Sequence, residues 1–86
     1  MKRRFEVIIS LKEGLLDPQG KAIEGSLPAL GWDNFSHVRV GKHVEMTIEA
    51  DSEEIARAQV EEIATRVLSN PVIEVFHIIT AEELPA

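Results

Sequence analysis

The chain has 86 residues, with 9 basic against 15 acidic side chains, a net charge of -6 and no cysteine. A chain this short is one domain with a thin core, burying only roughly 60–65% of its unfolded surface, which leaves little room for a deep active site. The acidic balance opposes phosphate backbones and anionic membranes, and the missing cysteine excludes disulfides, thiolate zinc sites and a thiol nucleophile.

Hydrophobic residues make up 44% and charged residues 28%, the composition of a globular domain rather than a disordered one. Lys2, Arg3 and Arg4 precede an apolar run broken by Glu6, Ser10 and Lys12, so no secretory signal is expected. No stretch reaches the ~18 apolar residues of a membrane span.

Arg4 to Leu11 alternates with period two. Phe5, Val7, Ile9 and Leu11 share one face of a strand; Arg4, Glu6, Ile8 and Ser10 share the other. Lys12 to Leu16 is a connector. Asp17-Pro18 then signals a helix start: aspartate accepts from free backbone N–H groups, and proline suits the first helical position. Pro28 is expected to kink or shorten this helix, and Gly31 to stop it.

Phe35 to Ala50 keeps one parity throughout. Val38, Val40, Val44, Met46 and Ile48 are even; His37, Arg39, His43, Glu45, Thr47 and Glu49 are odd. A two-residue turn at Gly41-Lys42 would mix the two sets on one face, so one long strand bent near Gly41 is expected. Its roughly 50 Å, at ~3.3 Å per residue, exceeds a domain with a radius of gyration near ~12 Å. Part of it is therefore expected to pair outside the monomer.

Asp51 to Ser69 reads as the clearest helix. Asp51 and Glu54 form a capping-box pattern, and Ala56, Val60, Ile63, Ala64 and Val67 form one stripe. Glu53–Arg57 and Glu62–Arg66 are ion pairs one turn apart. Asn70-Pro71 ends the helix. Val72 to Thr80 reads as a last strand with two apolar faces, one of which needs a cover from another subunit. Residues 82–86 read as a loose tail after a single domain over residues 1–81. The order β-α-β(long, bent)-α-β implies an α+β two-layer sandwich, an antiparallel sheet with two helices on one face.

Catalytic patterns are weak. Gly14 to Gly20 is one residue too long for a phosphate loop, and Ala22 replaces the hydroxyl that would hold magnesium. Gly41-Lys42 has no upstream glycine at the right distance. Ser26 lacks the GxSxG setting. His37, His43 and His77 have neither HxH nor HxxxH spacing, so no metal site is expected. Glu53-Glu54 and Glu61-Glu62 read as solvated charge, and Trp32 and Phe35 as packing residues. The residues describe a small oligomeric module without an active site.

Three segments together carry a family resemblance: Leu11-Lys12-Glu13-Gly14-Leu15-Leu16-Asp17-Pro18-Gln19-Gly20, Val38-Arg39-Val40-Gly41-Lys42 and Asn70-Pro71-Val72-Ile73-Glu74. Their order and spacing resemble PurS, the small subunit of the multi-protein phosphoribosylformylglycinamidine synthase. The resemblance implies a cytoplasmic, non-catalytic assembly subunit of a ligase complex in purine biosynthesis. That complex converts formylglycinamide ribonucleotide to the amidine with glutamine and ATP. The resemblance further implies a PurL-type synthetase and a PurQ-type glutaminase as partners, with ammonia passed between them. ATP, Mg and glutamine would be used by those partners, with no cofactor in this chain. Self-association as a dimer or tetramer is implied; nucleic acid and membrane are not.

Lys12, Asp17, Gln19, Arg39 and Lys42 lie in the matching segments and are the candidates for partner contact. Val44, Met46, Ile48, Ile73, Val75 and Ile79 are the candidates for self-association. An ACT-like small-ligand regulatory module, also a small α+β sandwich that pairs through its sheet, is the alternative.

Overall fold

The computed structural model describes residues 1–84. Three strands form one sheet in the order β2-β1-β3: β1 Lys2–Leu11, β2 Gly41–Glu49 and β3 Glu74–Leu84. Both neighbours run antiparallel to the central β1. Helix α1 (Pro18–Ser26) connects β1 to β2, and α2 (Glu53–Ile63) connects β2 to β3.

The alternation of β1 sets the core. Phe5, Val7 and Ile9 are fully buried on one face and meet Ala56 and Val60 of α2 and Ala64 just beyond it. Val44, Met46 and Ile48 of β2 and Phe76 and Ile78 of β3 pack around this cluster. Arg57 lies over the Phe5 ring at 5.9 Å. It therefore serves the core, and Glu53, its expected partner, instead lies 3.9 Å from Arg3. The expected Glu62–Arg66 pair forms at 2.8 Å.

Only α2 supplies the helical half of that core. The α+β sheet with two helices is as expected, and the two contribute unequally: α1 buries Gly20, while α2 buries Ala56 and Val60. Pro28 ends α1 early, as its missing N–H requires, and opens a short 3-10 turn over Pro28–Leu30. Gly31 closes that turn at φ 100.

Strand β2 begins at Gly41, so residues 35–40 are not strand. The parity that suggested one has another origin: the amides of Val38 and Val40 are taken by side-chain carboxylates of Glu24 and Asp17. No pairing outside the chain is needed to satisfy them. His37, in the left-handed region at φ 59, bends the segment.

The start of α2 is capped by Ser52, whose Oγ accepts from the Ile55 amide, rather than by Asp51. Its last turn, Ala64–Leu68, widens to π geometry. The loose tail is also corrected. Glu82, Glu83 and Leu84 belong to β3, opposite Arg4, Arg3 and Lys2, while residues 85 and 86 lie outside the described residues. A bulge after Glu6 leaves Ile79 out of register.

The result is long and thin, 52 × 29 × 14 Å, with a radius of gyration of 16.7 Å. A compact chain of this length would have about 12 Å. Among the described residues, no helix is long and apolar enough to cross a membrane.

Candidate interaction site at the loop end of the sheet

The last residue of β1, the start of α1, and the first residues of β2 and β3 meet at one end of the sheet, where Ser10 pairs with Gly41 and Leu11 with Glu74. All five partner candidates come to this end, although they span residues 12 to 42.

Asp17 organises it. The residue is 5% exposed. Its Oδ1 accepts from the Gly20 amide at 2.9 Å, capping α1, and its Oδ2 accepts from the Val40 amide at 2.7 Å. The hydrogen bonds from Val40 and then Gly20 hold its carboxyl below the ordinary aspartate range. Burial opposes that shift, and the Arg39 charge and the Gln19 amide add to it. A carboxylate accepting two amides is stabilised in its charged form.

Two glycines let the backbones close up. A Cβ on Gly20 would lie 2.1 Å from the Val38 carbonyl oxygen, and one on Gly41 would lie 2.7 Å from that of Ile9. Side chains are excluded at both points, so α1 approaches residue 38, and β2 approaches β1 at Gly41, as only glycine permits.

Arg39 holds the connector. Its Nη1 donates to the Leu15 carbonyl at 2.8 Å, and its Nη2 to those of Lys12 and Leu11 at 3.3 and 3.4 Å. Lys42 reaches the other way. Its Nζ donates to the Leu68 carbonyl at 3.1 Å and lies 3.9 Å from Glu74. That carbonyl has no helical acceptor role to fill, because the turn ends at Leu68 and Ser69 is already extended. Glu74 accepts from the Asn70 amide at 2.7 Å, fixing the entry into β3.

Three of the five candidates thus shape the site from within, and two face outward. Lys12 and Gln19 are exposed, the former on a backbone tied to Ile73 at 2.8 Å. Leu16 and Val72, 70% and 77% exposed, accompany them. Sequence reasoning did not single out Glu24 or Glu74. The signal for Glu24 was its place seven residues after Asp17, two helical turns along α1. For Glu74 it was the Asn70–Glu74 segment itself.

The six self-association candidates divide. Val44, Met46 and Ile48 pack against the core from the helix side and are partly buried there. Val75 lies on the opposite face, level with Ser10, and Ile73, Val75 and Ile79 are exposed. That outer face is mixed rather than apolar, since Arg4, Glu6, His43, Glu45 and Glu82 share it with Ile8 and Val75.

A thin sheet with a helix over its core and an ordered, partly apolar loop end defines the class: a small α+β module. The profile of a family described as "PurS: Phosphoribosylformylglycinamidine (FGAM) synthase" matches residues 4–82. The chain is 40% identical over 68 residues to the phosphoribosylformylglycinamidine synthase subunit PurS of Synechocystis, covering 79% of this chain and 68% of that one. The PurS structure of Thermus thermophilus superposes with a TM-score of 0.84 at 38% identity, covering 99% of this chain and 100% of that one. A chain of the PurLQS structure from Thermotoga maritima matches with the same TM-score, 0.84, at 25% identity, covering 92% of this chain and 96% of that one. The chain belongs to the PurS family.

Proposed function

We propose that this chain is the assembly subunit of a phosphoribosylformylglycinamidine synthase in purine biosynthesis, holding a PurL-type synthetase and a PurQ-type glutaminase together in the cytoplasm. The observation that carries this reading is the family match over residues 4–82, with a relative structure described as PurLQS. The ACT-like alternative has no such support.

The chemistry divides accordingly. A glutaminase of the triad type needs a cysteine nucleophile, and this chain has none. Glutamine cleavage therefore falls to the PurQ-type partner, and ATP with Mg to the PurL-type partner, with no cofactor in this chain. Its contribution is placement, holding the two so that ammonia passes between them.

The loop end suits such a contact. Asp17, Arg39 and Lys42 fix the backbone, so Lys12, Gln19, Leu16 and Val72 are offered in a pre-ordered arrangement that loses little entropy on binding. Self-association as a dimer or tetramer completes the thin fold. A groove lined by Ile48, Ile63 and Val67 lies open between β2 and α2, with a volume of about 600 Å³. Among the described residues, no strand pairs with the outer edge of β2.

The test is co-elution. The chain is mixed with the synthetase and glutaminase of one source, with glutamine and ATP, and resolved by size-exclusion chromatography. A three-component peak is expected. Elution of this chain apart from both partners contradicts the reading.

A further inference from the structure

The outer sheet face carries a polar cluster that the loop end does not use. Pairing places Glu6 of β1 directly opposite Glu45 of β2, and Ile8 opposite His43. Carboxylates directly opposite one another repel unless a cation lies between them. Arg4 supplies one positive charge: its Nη2 donates to Glu6 Oε1 and, at 3.0 Å, to Glu45 Oε1. A third carboxylate, Glu82, lies 4.0 Å from its Nη1. One guanidinium thus faces three carboxylates.

Glu6 divides its oxygens. While Oε1 accepts from Arg4, Oε2 faces His43 Nε2 at 3.8 Å. One ligand atom each from Glu6, His43 and Glu45 lie within 4.8 Å of one another. Tetrahedral zinc, with bonds of about 2.0–2.2 Å, separates its ligands by roughly 3.3–3.6 Å. Rotation of the half-exposed His43 and Glu45 side chains closes the remaining gap of about an ångström.

We propose that Glu6, His43 and Glu45 form a binding site for a zinc-class divalent transition metal, with the fourth position left to water. An imidazole nitrogen with two carboxylates favours zinc over magnesium or calcium, which take oxygen donors alone. Arg4 remains on the Oε1 atoms and orients both carboxylates, the part outer partners play around a metal. The strands hold the three ligand residues at fixed register.

The test is calorimetric titration of the intact chain with zinc chloride. Saturable binding of one ion per chain is expected, undisturbed by a thousandfold excess of magnesium. His43→Ala and Glu45→Gln should each weaken it at least tenfold. His77→Ala should leave it unchanged, because His77 lies across Ile8 on the β3 side of the same face. Circular-dichroism melts establish that each variant is folded. Three results overturn the proposal: no saturable zinc binding by the natural chain, unaltered binding in the His43 and Glu45 variants, or equal loss in the His77 variant.

Discussion

Asp17 and Val40 are 23 residues apart, yet the carboxylate of one accepts the amide of the other at 2.7 Å. The same carboxylate caps α1 through Gly20, so one side chain fixes both the start of the helix and the approach to β2. Replacement by alanine removes both at once. Asp17→Ala is expected to lower the melting temperature by about 4–8 °C, the scale set by one lost cap in a domain of this size. Thermal circular dichroism reads the shift, and an unchanged melt would remove Asp17 from this role.

The same bond gives a pH signature. The Asp17 carboxyl is depressed in the folded chain, first by the Val40 amide and then by that of Gly20. A depressed carboxyl stabilises fully above its ordinary value of 3.8, and that contribution is lost as pH falls through the lower folded value. The stability gap between the natural chain and Asp17→Asn should therefore narrow as pH falls below about 4. Urea titrations across that range measure it; a gap constant with pH would contradict the assignment.

Two glycines of α1 should respond with opposite signs. Gly20→Ala drives a Cβ to 2.1 Å from the Val38 carbonyl oxygen, so helix or segment must move and stability falls. Gly25 has nothing within 4 Å of such a Cβ. Gly25→Ala should stabilise by about 0.5–1 kcal/mol through backbone entropy and helix propensity. Equal effects at both positions would show that α1 does not pack on residue 38 as described.

Arg39 and Lys42 bond the carbonyls of Leu15, Lys12 and Leu68, so charge reversal there disturbs the local backbone. Arg39→Glu should raise amide exchange over residues 11–15, and Lys42→Glu over the turn after α2. Lys12→Glu and Gln19→Ala should leave exchange unchanged and weaken partner binding. Hydrogen exchange by mass spectrometry separates the two groups, and equal protection in all four variants would remove the distinction.

Much of this fold was legible because the signals were local. The alternation of Phe5, Val7 and Ile9 announced the central strand, and Asp17-Pro18, Pro28 and Gly31 marked the ends of α1 and the turn after it. Residues 35–40 misled because alternation records which amides and faces differ, not what satisfies them. Carboxylates of α1 there do the work of a neighbouring strand, and no pattern within 35–40 reports that. Asp51 and Ser52 are both good caps one residue apart, and only side-chain geometry chooses between them. The Glu6–His43–Glu45 cluster needed the register between strands, which residue spacing along one strand does not contain. The partner candidates came together because the three resembling segments all end at the same edge of the sheet, although their roles there divide between holding the backbone and facing outward.

The proposed role of this chain is to serve transfer of ammonia between two partners. It is tested most directly by comparing turnover driven by glutamine with turnover driven by free ammonium, using purified synthetase and glutaminase with ATP, with and without this chain. Glutamine-driven turnover is expected to depend on the chain, and ammonium-driven turnover by the synthetase to persist without it. Glutamine-driven turnover that is unchanged by omitting the chain would contradict the account.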